Sequence, residues 1–166
     1  SDYSLLSLDV AHAFNSVERV TMYEGLRSRG FQRFIPFLRQ FYSAPSDLQY
    51  FGVQCPTVLQ SARGVRQGDP MGPFLFSIAY QPVLEAGAAV VREADGQVAA
   101  YLDDSYVLAP PLILERAYEA MRAAGAERGL LFRAEKSTLY RVPYGEAVPA
   151  GLQRMHHTQD GVRVLR

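Results

Sequence analysis

Two short apolar runs, Val98–Leu102 and Ser105–Ala109, stand only two residues apart, with Asp103-Asp104 between them. A connection this short cannot carry a parallel crossover, which needs about a dozen residues or more, so the pair reads as a tight antiparallel hairpin. That feature rules out an all-parallel, doubly wound sheet. The rest of the chain agrees. Ser4–Val10 (SLLSLDV) is a mostly apolar strand that ends on Asp9. Val17–Arg29 carries Val17, Val20, Tyr23 and Leu26 at helical spacing, with Ser16 as the expected N-cap and Gly30 as the stop. Arg19 stands where a capping-box Glu would be. A helix over Phe34–Tyr42 follows, then strands over Asp47–Val53 and Thr57–Ala62 joined near Cys55-Pro56. A Gly/Pro-punctuated stretch, Gly64–Pro73, leads into a long apolar helix over Phe74–Glu93, ended by Gly96. After the hairpin, Leu112–Arg128 places Leu114, Tyr118, Met121 and Gly125 on one stripe, as a core-facing helix does. Gly129 caps it, Leu130–Val142 reads as strand, Pro143–Thr158 as loop, and Val162–Leu165 as a last strand. Strands outside a βαβ alternation predict an α+β fold, an antiparallel sheet covered by helices on one face.

Composition narrows the function classes. A chain of 166 residues with 48% hydrophobic side chains makes one domain with a sizeable core. Seventeen Lys+Arg offset seventeen Asp+Glu, and zero net charge argues against holding nucleic acid by bulk electrostatics. The single cysteine, Cys55, excludes an internal disulfide, no Cys/His set has zinc spacing, and the adjacent His156-His157 read as surface or loop. The apolar stretch Phe74–Val91 is interrupted by Ser77, Gln81, Pro82 and Glu85, so no membrane partner is expected. Nothing at the start resembles a secretory leader, and the abrupt entry into a strand after Ser1-Asp2 suggests a piece of a longer protein.

The acidic residues carry the chemistry. Asp9 lies in an otherwise apolar strand, flanked by Leu8 and Val10, and Asp103 and Asp104 sit at the tip of a hairpin whose arms are largely apolar. Three carboxylates at the ends of buried strands repel one another and lose hydration unless something positive sits among them. Oxygen donors without His or Cys select a hard divalent cation, Mg2+ or Mn2+. Taken alone, Asp103-Asp104 reads first as a turn pair, and Gly64–Pro73 has a secondary reading as a helix-start loop.

Taken together, four stretches resemble the palm domain of reverse transcriptases, most of all the non-LTR (LINE-type) retrotransposon enzymes. Asp9 to Ala13-Phe14-Asn15 is similar to the family's first palm motif, and Gly64–Ser77, with Gln67-Gly68-Asp69-Pro70, to its second. Tyr101-Leu102-Asp103-Asp104 resembles the third, and Gly129 to Lys136-Ser137 the fourth, while Val162–Leu165 resembles the start of a primer grip. The likeness runs in family order from about Leu5 to Tyr140. His12 stands where many such enzymes have Lys, Asn15 where Asp is common, and Tyr101 where Phe is frequent.

The resemblance implies a polymerase palm with a ferredoxin/RRM-like core and RNA-directed DNA polymerase activity by two-metal nucleotidyl transfer. Asp9, Asp103 and Asp104, with the Val10 backbone, would hold two Mg2+ ions, Mn2+ serving as a substitute. Phe14 would exclude a ribose 2′-hydroxyl, Gln67 and Gly68 would line the pocket for the nascent base pair, Lys136 would meet the leaving pyrophosphate, and Tyr101 would support the hairpin beside the primer end. Implied partners are an RNA template, a DNA primer, deoxynucleoside triphosphates, and the fingers and thumb of a full-length protein. Those two parts lie outside the four motifs, so residues 1–166 are expected to be a single palm domain, a fragment poorly active alone. The family also implies a nuclear location and a role in retrotransposition. The rival reading is a domesticated, non-catalytic scaffold that binds RNA or protein. Such a scaffold has no need to keep all three aspartates, and all three are here.

Overall fold

The computed structural model describes residues 3–51, 56–66, 68–141 and 147–160. The chain divides into two compact units: residues up to Ala13 together with those from Tyr80 on, and the intervening Phe14–Ala79.

The first unit is built on a five-stranded sheet in the order β4-β5-β1-β6-β7. Its strands are β1 (Ser4–Leu8), β4 (Gln97–Tyr101), β5 (Asp104–Ala109), β6 (Thr138–Arg141) and β7 (His156–Thr158). β1 is antiparallel to both neighbours, with Leu6 opposite Val107 on one side and Leu139 on the other. It alternates strictly between buried and half-buried positions. Ser4, Leu6 and Leu8, with Ser105, Val107 and Ala109 across from them, form the inward face. Against this unit's core lies α5 (Pro111–Ala126), started by a proline at its first turn. Its buried stripe is Leu114, Ala117, Tyr118, Met121 and Gly125, as the spacing predicts. A Cβ on Gly125 would stand 3.0 Å from the Phe132 ring, so the glycine is what lets that ring close on the helix.

The α+β class holds, and three details differ from their predictions. The sheet is mixed, not purely antiparallel, because β7 runs parallel to β6. Residues Pro143–Thr158, read as loop, hold a 3-10 turn at Ala150–Leu152 and then β7, with Leu152 and Met155 buried. A three-residue strand is too short to show alternation, and its Pro/Gly-rich lead-in masked it. Leu130–Val142 is likewise not one strand. It is a bridge at Phe132, a 3-10 turn over Ala134–Lys136, and only then β6. Val162–Leu165 lies outside the described residues.

The second unit contains α2 (Arg19–Ser28), α3 (Ile35–Tyr42) and the hairpin of β2 (Ser46–Phe51) and β3 (Pro56–Ser61). It also holds the first turns of α4 (Gly72–Val91), and a short helix α1 (Ala13–Ser16) enters it. Cys55 lies outside the described residues. Ser16 is not the N-cap of α2. It ends α1, and Glu18 occupies the cap position without a side-chain bond. Gly30 does end α2, at φ 79, with Phe31 N–H bonded to Leu26 O at 2.8 Å and Gly30 N–H to Arg27 O, a Schellman closure. The left-handed residue after α4 is Asp95 (φ 51), where Gly96 was expected; a Cβ on Gly96 would strike Leu108 O at 2.6 Å. By length and composition, Gly72–Ala94 would suffice to cross a membrane. Leu75, Phe76, Ala79, Tyr80, Val83 and Val91 are instead buried in protein.

Candidate active site

The hairpin connection differs from its prediction in a way that matters. Tyr101 pairs with Asp104, so the turn residues are Leu102 and Asp103, and Asp104 is the first residue of β5. Leu102 adopts φ 57, the left-handed conformation that a two-residue hairpin demands. Asp tolerates that region better than Leu, which is why the sequence pattern put the turn one residue late. The result is that the two carboxylates differ: Asp104 is exposed on the strand, while Asp103 is half-buried in the turn.

β1 brings the third. Leu8 pairs with Ser105, so the next step of the register sets Asp9 beside the start of β5. Asp103 reports this crowding: its carboxyl is held above the ordinary range, first by burial and then by the charges of Asp104 and Asp9. Beneath it, Tyr80 bonds Ser105 Oγ at 2.8 Å, and burial, with Asp103 nearby, pushes its phenol far up.

Asp9 already has a cation. Arg133 Nε donates to Asp9 Oδ2 at 2.6 Å. Arg133 N–H also bonds Asp9 O at 2.9 Å, Asp9 N–H bonds Ser137 Oγ at 3.1 Å, and Ser137 Oγ–H bonds Arg133 O at 2.8 Å. The fourth motif is thus tied to the first by both main chain and side chain. Sequence reasoning selected Lys136 from this stretch; Lys136 is exposed on the 3-10 turn, and Arg133 is the residue that bonds Asp9. The available signal was the need for a positive charge among three acids, which pointed only to metal.

Among the described residues, no group of three or more His, Cys, Asp or Glu side chains is arranged to hold a metal ion. The donor chemistry nevertheless fits a hard cation: the register gathers carboxylate oxygens at one end of the sheet, and a guanidinium stands at Asp9. The bridge between Val10 and Phe132 is made by the Asp9 carbonyl and the Ala11 N–H, so the Val10 carbonyl is not consumed by it. Tyr101, at the end of the edge strand β4, is 65% exposed and so is open to a neighbour beside the hairpin.

In the second unit, Phe14 stacks on Phe76 with centroids 4.6 Å apart and planes 14° from parallel, and its ring stays half-buried. Its carbonyl accepts from Val65 N–H at 2.7 Å. Gly64, at φ 68, explains why the second motif opens with glycine: a Cβ there would lie 2.5 Å from Asn15 Cα and would overlap Phe14 O. Gly68 is exposed at φ 84, and Gln67 lies outside the described residues. Asp69 accepts from the Tyr42 hydroxyl and from Met71 N–H at 2.8 Å, shaping the entry to α4.

Arg19, the apparent anomaly in the capping pattern, organises this loop. It is 8% exposed, and its guanidinium donates to Gly64 O, Ala44 O and Ser61 O at 3.0–3.1 Å while lying over the Tyr42 ring. Burial holds its pKa below the usual value, and nearby Arg66 adds to that.

The reverse transcriptase (RNA-dependent DNA polymerase) family model matches residues 1–165. The chain is 31% identical over 144 residues to the Transposon TX1 149 kDa protein of Xenopus laevis, covering 81% of this chain and 11% of that one. It is 33% identical over 139 residues to the Retrotransposable element SLACS 132 kDa protein of Trypanosoma brucei gambiense, with the same 81% and 11% shares. The chain therefore spans about a tenth of these relatives' length. In fold it is similar to apo telomerase from Candida tropicalis, with TM-score 0.68, 12% identity, and 87% of this chain and 32% of that chain covered. It is also similar to telomerase from Candida albicans in complex with a TWJ fragment of telomeric RNA, with TM-score 0.56, 11% identity, and 90% and 28% covered. Family match, retrotransposon relatives and polymerase-type fold converge: the chain belongs to the reverse transcriptase family, as a domain of the non-LTR type.

Proposed function

We propose that this domain carries the reaction centre of an RNA-templated DNA polymerase that acts in retrotransposition. The observation that carries the reading is the strand register, which delivers Asp9 from β1 and Asp103 and Asp104 from the β4–β5 hairpin to the same end of one sheet. Reverse transcriptases use divalent metals. In this reading Asp9, the Val10 carbonyl, Asp103 and Asp104 hold two Mg2+ ions. When bound, the ions supply the Lewis acidity that lowers the pKa of a primer 3′-hydroxyl and stabilises the leaving pyrophosphate.

The chain's own groups do the rest. Burial, joined by the charges of Asp104 and Asp9, disfavours the ionised form of Asp103, so a bound cation would stabilise that form. Tyr80 and Ser105 hold the floor of the hairpin by their buried hydrogen bond. Motif order assigns sugar selection to Phe14, the nascent base pair to Gln67 and Gly68, a place beside the primer end to Tyr101, and a supporting contact with pyrophosphate to Lys136. An RNA template, a DNA primer and deoxynucleoside triphosphates are the partners this activity requires; the telomerase relative bound to RNA supports the first. The fingers and thumb would come from the rest of the protein, and the nuclear location belongs to the same proposal.

Mn2+ binding, followed by water proton relaxation, tests the metal assignment. Saturable binding that Asp103→Ala weakens at least tenfold is the expected outcome. Equal binding by the two proteins removes the carboxylates from the mechanism.

A further inference from the structure

We infer that Arg133 is a built-in counter-cation that occupies Asp9 until a divalent metal displaces it, so that metal binding and release of the Arg133 side chain are one event. The inference rests on the reading of Asp9 as a metal ligand.

Among the described residues, Arg133 stands on this carboxylate cluster, its Nε 2.6 Å from Asp9 Oδ2, with both side chains partly exposed at 26% and 35%. A charged hydrogen bond this short satisfies Asp9 without a metal. A metal ion at Asp9 would set a second positive charge beside the guanidinium, so the two compete for the carboxylate. Only the Arg133 side chain has to yield. Its main chain stays fixed by Arg133 N–H to Asp9 O at 2.9 Å, and the turn behind it by Ser137 N–H to Arg133 O at 3.0 Å and His156 N–H to Ser137 O at 2.9 Å. These bonds use no carboxylate oxygen, so they survive the exchange. The partial exposure of Arg133 also makes its release inexpensive, since the freed guanidinium turns to water. Asp9 is thereby kept ordered, and the cluster of three acids is partly neutralised before metal arrives. Arg133 is a positioning residue in this account.

The test uses the chain with Mn2+ and Mg2+ as probes. Arg133→Gln removes the competing charge, and it should bind Mn2+ roughly tenfold more tightly than the parent. Arg133→Lys, which keeps the charge, should stay near the parent. In a Mg2+ titration followed by arginine side-chain NMR, the Arg133 Nε–H resonance, assigned by its loss in Arg133→Lys, should move with the midpoint of metal binding. Binding that appears in Arg133→Gln and not in the parent also supports the inference. Metal binding with an unmoved Arg133 resonance, or with equal affinity in parent and Arg133→Gln, overturns it while leaving the metal reading intact. No saturable binding in either protein overturns both.

Discussion

Asp103 and Gly64 show how much a single residue can carry. The folded state raises the Asp103 carboxyl above its ordinary 3.8 by burial and by the charges of Asp104 and Asp9. The sign follows directly. Well below pH 3.8 the group is protonated in both folded and unfolded chains and costs nothing; as the pH rises through that value, ionisation opposes folding, and the penalty is complete above the raised folded value. Asp103→Asn escapes the penalty. Its melting temperature in metal-free buffer should exceed the parent's at neutral pH, and the gain should shrink as the pH is lowered toward about 4. A pH-independent difference would mean that the ionisation of Asp103 is not the cause. Gly64 and Gly68 give a second contrast. Both sit at positive φ, so alanine costs each about 1 kcal/mol in backbone strain. Only Gly64 would also drive a Cβ into the Phe14–Asn15 backbone, whereas nothing lies within 4 Å of Gly68. Denaturant melts should show Gly68→Ala mildly destabilised and Gly64→Ala destabilised by several kcal/mol more, since backbone does not yield as a side chain does.

At the scale of elements, the long periodic pieces were legible and the short ones were not. β1, α3, α4 and α5 announce themselves because an alternating or 3.6-residue apolar pattern persists long enough to be recognised, and all four lie within a few residues of their predicted ranges. β7 was invisible, since three residues carry no pattern. The helix starting near Ser16 was misjudged because a serine before an apolar run looks like a cap, while α1 ends there. The hairpin was placed correctly, yet its turn was set one residue late, because Leu102 is an unexpected occupant of the left-handed position. That misplacement is informative: strain of about 1–2 kcal/mol at Leu102 persists only where the strands on either side over-determine it. Leu102→Val, with a β-branched side chain at positive φ, should cost about 1–2 kcal/mol more, whereas Leu102→Gly should be tolerated. Chemical denaturation of the two variants checks this, and equal stability would show that the turn is not strained. Asp9, Asp103 and Asp104 were legible as carboxylates at strand ends, and the register gathers them at one end of the sheet. Arg133 was not, because its partnership with Asp9 spans 124 positions of sequence and depends on how the β6 segment returns beside β1.

For the whole molecule, zero net charge is the sum of two unlike parts. Phe14–Ala79 holds seven arginines against four acids, a surplus of +3; the remainder holds ten Lys+Arg against thirteen acids, a deficit of −3. The neutral total hid an acidic unit, which holds the carboxylate cluster, and a basic unit with Arg27, Arg33 and Arg39 exposed. Neutrality therefore does not exclude nucleic acid, which the composition alone had argued against. The acidic unit's charge suits cations, and the basic unit's charge suits phosphate. Asp9, Asp103 and Asp104 are proposed to form the centre of an RNA-templated DNA polymerase. Primer extension on an RNA template by the full-length protein that carries this domain, with Mg2+ and deoxynucleoside triphosphates, compared with Asp103→Asn, tests this. The account predicts extension by the parent and a loss of about a thousandfold or more in the variant, with its circular dichroism spectrum unchanged. Extension by Asp103→Asn within tenfold of the parent would contradict it.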